Sequence, residues 1–181
     1  MDTKFERPHG RVDTKFELAD PRRWGPSGWY VLHRMASHKF ENMAEAYEFY
    51  TCFRYILPCC TCRDNYKKHM EYLPFPKTPT AISKWVYDMH QRVNKSIGGQ
   101  ALVDKAPPFS AVTKMAANHK KEAFFVKCIL QAHPGMWNVT AEYTHALHTF
   151  LRILTGTTPA INFKSRRQLF GWFKTQYAVN P

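Results

Sequence analysis

The chain has 181 residues, 44% of them apolar, and a net charge of +12 from 26 Lys and Arg against 14 Asp and Glu. That suits one domain, or a small domain with an extension, and no apolar run is long enough to span a bilayer. The polar start, Met1-Asp2-Thr3-Lys4-Phe5-Glu6-Arg7, matches neither a secretory signal nor an acid-poor transit peptide, so the sequon at Asn138-Val139-Thr140 is expected to stay unused.

Residues 1–20 read as a mobile tail in which Asp-Thr-Lys-Phe-Glu occurs at 2–6 and 13–17; two copies make no repeat architecture. A first helix is predicted over 27–38, capped by Ser27, with Trp29, Leu32, His33 and Ala36 on one face. A second runs over 42–57 with the stripe Met43, Ala46, Tyr47, Tyr50, Phe53 and Leu57, and Pro58 ends it. A third covers 59–73 with Cys62, Tyr66, Met70 and Leu73 aligned. A fourth opens at Thr78-Pro79, runs to Ile97 and stops at Gly98-Gly99. Four amphipathic helices with short loops imply an antiparallel bundle over residues 21–100. Helical patterns near 110–132, 140–154 and 165–178, the last with a capping box at Ser165-Arg166-Arg167-Gln168, make residues 101–181 a helical extension of unassigned role. No strand alternation stands out, and the class is all-α.

Positive charge is spread over both parts: 16 basic and 11 acidic residues in 1–100 give +5, and 10 and 3 in 101–181 give +7. A polyanion partner would fit such a charge, but without a Lys/Arg tract a solubilising surface is expected over a nucleic-acid interface.

Chemistry concentrates in Leu57-Pro58-Cys59-Cys60-Thr61-Cys62-Arg63. Pro58 suits a first helical turn. Cys59 and Cys62 then share a helix face, at a spacing that closes a disulfide without moving the backbone. The unpaired N–H groups of a helix start, and Arg63 nearby, favour a thiolate. Cys60 points about 100° away. Cys52 and Cys128 are two buried thiols or one structural disulfide. A zinc site needs four ligands, and a second Cys-x-x-Cys or His-x3-His is missing, so no metal is expected.

Upstream stands Trp24-Gly25-Pro26-Ser27-Gly28-Trp29-Tyr30-Val31-Leu32-His33, and downstream Trp85-Val86-Tyr87-Asp88-Met89-His90-Gln91-Arg92-Val93-Asn94. In this order with Leu-Pro-Cys-x-x-Cys-Arg, over roughly residues 24 to 98, the chain resembles the Erv/ALR family of FAD-linked sulfhydryl oxidases. The form of the motifs is similar to the branch found in large DNA viruses.

The resemblance implies a four-helix bundle holding FAD and the oxidation of protein dithiols by O2, with H2O2 as product. Cys59 would be the exposed exchange sulfur and Cys62 the thiolate facing the flavin. Trp24, Gly25, Ser27, Trp29, His33, Cys62, Tyr66, Trp85, His90, Val93, Asn94 and Lys95 would line the cofactor site. Aromatic rings there can sandwich a flat ring system while imidazole and amide groups bond its edges. Two departures matter: the family's His-Asn is here His90-Gln91, and its Leu-Gly-Lys is Ile97-Gly98-Gly99, so Lys95 or Arg92 is left to supply the missing charge. The resemblance also implies a homodimer paired through the first two helices. Family members often carry a second cysteine pair on a tail. Residues 1–20 and 129–181 hold no cysteine, so a partner protein with its own Cys-x-x-Cys is expected to deliver electrons directly. The contrasting reading is a non-enzymatic helical binding module with a basic surface, which a colourless purified protein would favour.

Overall fold

The computed structural model describes residues 20–135 and 138–177. The expected tail lies outside the described residues apart from Asp20, as does the last position of the helix predicted over 165–178. Among the described residues the chain is all-helical: α1 (Pro21–Met35), α2 (Met43–Ile56), α3 (Cys60–Tyr72), a 3-10 turn (Pro79–Ala81), α4 (Ile82–Asp104), α5 (Phe109–Val112), α6 (His119–Gln131), α7 (Ala141–Thr155) and α8 (Arg166–Tyr177). No helix is long and apolar enough to cross a membrane among these residues.

Helix ends follow local chemistry and correct the predicted boundaries. α1 starts six residues before Ser27, because Asp20 caps it, accepting the Arg22 N–H, and Pro21 suits its first position. Pro26 therefore lies inside the helix, where it forgoes one backbone bond. Pro58 precedes the cap of α3 instead of opening its first turn; the cap is Cys59. Gly99, at φ 61°, turns the predicted stop into a kink, and α4 resumes to Asp104. The pattern at 110–132 splits into α5 and α6. Ser165 accepts the Gln168 N–H as a cap should, but the Gln168 carboxamide accepts from Asn162 N–H rather than from Ser165.

The core is one cluster that draws on both halves of the chain. α6 lies along α1 and α7 along α2, while α3 and α4 close the other side. Phe49, Phe53, Phe125 and Phe150 are fully buried at their junction. Their rings meet at 5.6 Å (Phe49–Phe150), 5.4 Å (Phe53–Phe150) and 6.1 Å (Phe53–Phe125), separations at which aromatic pairs add to simple burial. Phe49 belongs to the buried face of α2 although the predicted stripe omitted it, and Tyr47, included there, is 46% exposed. The first two helices, α1 and α2, are thus each lined by a helix of the extension, α6 and α7.

Candidate active site

Cys59 sits at the N-cap of α3 in extended backbone, and its Sγ accepts the Cys62 N–H at 3.2 Å. The cap oxygen of an ordinary helix start is thus replaced by a sulfur that receives a helix N–H, which favours negative charge on it. Arg63 donates from Nη1 to the Leu57 carbonyl at 2.7 Å, tying the Leu57-Pro58 approach to the helix. Cys59 and Cys62 are half-buried and Cys60 is exposed, as the helical turn between them requires. Burial, then the hydrogen bond with Cys59, pushes the Cys62 thiol up to about 12, with Arg63 opposing. An easy thiolate is therefore not found at Cys62. No bridge joins Cys52 and Cys128: Cys52, in α2, donates to the Glu48 carbonyl at 3.1 Å, and burial raises its pKa to about 12.

α1 and α4 bring three of the predicted residues together. Trp29 stacks on His90 with ring centroids 4.0 Å apart and planes 10° from parallel. His33 Nε2 lies 3.0 Å from His90 Nδ1, one ring nitrogen donating to the other. Burial pushes His33 down to about 4, and burial followed by the His33 neighbour pushes His90 down to about 3. Both imidazoles are therefore neutral at ordinary pH and keep a donor and an acceptor each. Asn94 follows His90 by one turn of α4 and is half-buried with Val93; Lys95 is exposed.

Other predicted residues are placed elsewhere. Trp85 packs on Tyr50 at 5.3 Å and Phe75 at 5.0 Å and donates to the Leu73 carbonyl at 2.9 Å, away from the Trp29 stack. Trp24 is buried against Phe125 of α6 at 6.0 Å, its indole N–H without a partner. Gly25 and Ser27 lie in the early turns of α1, with Ser27 buried. Tyr66 is the one fully buried residue of α3, and its hydroxyl donates to the Tyr50 carbonyl at 3.0 Å.

FAD needs a flat apolar face, edge donors and acceptors, and cations for its diphosphate. Trp29 and His90 stack directly on each other, so they form one wall and not a sandwich. Two neutral imidazoles, the Asn94 amide and the buried Gln91 Oε1, which has no hydrogen-bond partner, provide polar edges. Arg92, over the Tyr72 ring at 4.4 Å, and Lys95 carry positive charge. This donor set fits the cofactor. Gln91 enters it because a buried, unpartnered carbonyl calls for a donor; in the sequence it showed only as a departure from the His-Asn pattern.

A family model described as the Erv1 / Alr family matches residues 26–121, and the chain belongs to that family. It is 30% identical over 115 residues to a probable FAD-linked sulfhydryl oxidase of Acanthamoeba polyphaga mimivirus, covering 58% of this chain and 78% of the relative. It is 26% identical over 96 residues to a mitochondrial FAD-linked sulfhydryl oxidase of Saccharomyces cerevisiae, covering 50% of this chain and 51% of the yeast protein. The mimivirus relative accords with the virus-like form of the motifs. No solved structure matches.

Proposed function

We propose that this FAD-linked sulfhydryl oxidase works through Cys59 and Cys62, oxidising protein dithiols with O2 as acceptor and H2O2 as product, and that residues 21–100 are its oxidase bundle. The observation that carries the reading is the Cys59 sulfur at the cap of α3, accepting the Cys62 N–H, with Cys62 half-buried behind it. The cofactor expected of the family would be held by Trp29, His33, His90, Gln91 and Asn94, with Arg92 and Lys95 toward its phosphates.

A substrate thiolate attacks Cys59 of the Cys59–Cys62 disulfide, forming a substrate–Cys59 bond and releasing Cys62 as a thiolate. The second substrate thiol, deprotonated, attacks the substrate sulfur of that bond. The product disulfide leaves, and Cys59 departs as a thiolate that the helix N–H stabilises. Two electrons now rest on the cysteine pair, which takes up from solvent the two protons that the substrate thiols gave up. FAD, held by the residues named above, would supply the two-electron acceptor between this pair and O2. Cys62 must lose its proton against its burial, and Arg63 is the group that lowers that cost.

Exchange at Cys59 needs a donor that reaches a half-buried sulfur. A small protein with an exposed Cys-x-x-Cys, acidic enough to be drawn by the +12 charge, meets that need, and salt should weaken its capture. The test is direct. The purified chain should show flavin absorbance and consume O2 with dithiothreitol. Cys62→Ser, with Cys59 first charged as a mixed disulfide with thionitrobenzoate, should pass Cys59 to the single thiol of a partner whose resolving cysteine is replaced by serine, accumulating a Cys59–partner disulfide as thionitrobenzoate leaves. A colourless protein inert to dithiols would overturn the reading.

A further inference from the structure

The two halves of the chain are built on one plan. The N-cap Asn42 of α2 and the N-cap Thr140 of α7 each accept the N–H three residues on, from Glu45 and Tyr143. Their separation, 140 minus 42, is 98 positions. The same offset carries buried Val31 and Leu32 of α1 onto buried Ile129 and Leu130 of α6. It carries buried Phe49 and Phe53 of α2 onto buried Leu147 and Leu151 of α7, and Thr51 and Arg54 onto Thr149 and Arg152. Past α7 the offset shortens to 87: Ile82, Trp85 and Val86 of α4 fall on Leu169, Trp172 and Phe173 of α8.

Packing repeats the plan. α6 lies on α1 and α7 on α2, each helix against its counterpart, while α4 packs on α1 as α8 packs on α6. Like against like is the arrangement of an isologous two-fold interface. A cavity of about 230 Å³ between α2 and α7 is lined by Tyr47, Glu48 and Thr51 and by their counterparts His145, Ala146 and Thr149, as a cavity on such an axis would be. Glu45 pairs with Arg152 at 3.2 Å across the junction. The counterpart pair is Tyr143 and Arg54: the carboxylate has become a phenol, and Tyr143 Oη and Arg54 Nε are both buried without a partner.

The second half lacks the chemistry of the first. Trp29 and His33 become Lys127 and Gln131, His90 becomes Tyr177, and residues 156–165 replace the longer 57–81 stretch that carries α3. We infer that residues 125–177 are a second, shortened copy of the oxidase bundle, without the redox helix or the flavin-facing side chains, which serves its own chain as a partner subunit. The active unit is then one chain with one flavin site, and the face that would join two chains is already filled.

Sedimentation of the full-length holoprotein tests this independently of any activity. A 21.2 kDa species with one flavin per chain is expected at micromolar concentration. A species of twice that mass, or two flavins per chain, overturns it. The Glu45–Arg152 pair separates contact within a chain from contact between chains. Glu45→Arg and Arg152→Glu should each lower the melting temperature by about 4 °C. The double variant should recover most of that loss, while a mixture of the two single variants should not. Recovery in the mixture would mean that the contact joins two chains, and no recovery in the double variant would mean that α7 does not pack on α2 as inferred.

Discussion

The α1–α2–α6–α7 side and the α3–α4 side of this protein are packed on different terms. The first is aromatic at its centre, with Phe49, Phe53, Phe125 and Phe150 fully buried. On the second, α3 fully buries only Tyr66, and the titratable groups Cys59, Cys62, His33 and His90 lie half in and half out of the packed interior or pair with one another. A fold that must expose a sulfur to a protein substrate and admit a cofactor cannot close that side with side chains alone. Its stability has to come from the opposite side, where residues of the extension complete the core. The site is thus carried by a platform that takes part in it only through the Trp29–His33 face of α1.

The largest expected effect separates chemistry from platform. Cys59→Ser and Cys62→Ser should each abolish dithiothreitol-dependent O2 uptake, read with an oxygen electrode, while flavin content and melting temperature stay near those of the parent. Residual activity of either variant at the parent rate would remove that cysteine from the redox pair. Next comes Phe150→Ala, which should cost about 3–5 kcal/mol in urea unfolding through the cavity it leaves. Met70→Ala, half-buried on α3, should cost about 1 kcal/mol. Equal losses would erase the contrast between the two sides.

A smaller effect is tied to pH. His33 and His90 have folded pKa values near 4 and 3, below the unfolded value of about 6.5. The unfolded chain therefore takes up protons first on acidification. Their contribution to stability is complete above about pH 6.5 and falls as pH drops toward 4 and 3. Melting temperature should decline across that window, and less steeply in His90→Gln than in the parent. An equal slope in the two proteins would show that His90 is solvated. The smallest expected change is Cys60→Ser, since that side chain is exposed and turned from the pair; oxygen uptake and stability should both stay at the parent level. Loss matching that of Cys59→Ser would make Cys60 an exchange partner.

What the sequence determined by itself is local. The three-residue step from Cys59 to Cys62 set one helical turn; the 3.6-residue period put Trp29 with His33; the pattern near 140–154 marked α7, which runs over Ala141–Thr155. Boundaries failed where a second signal competed, as when Asp20-Pro21 outranked Ser27 as a helix start and Gly99 bent α4 without ending it. Tertiary structure alone decided which faces meet. Nothing within α1 or α4 says that Trp29 stacks on His90 while Trp85 turns to Tyr50 and Phe75, because helical period fixes a residue's face but not the element across from it. Nor does the pattern of α2 say that Phe49 and Phe53 are met by Phe150, about a hundred positions away: apolar burial is non-directional, and only the assembled chain gives each buried ring its partner.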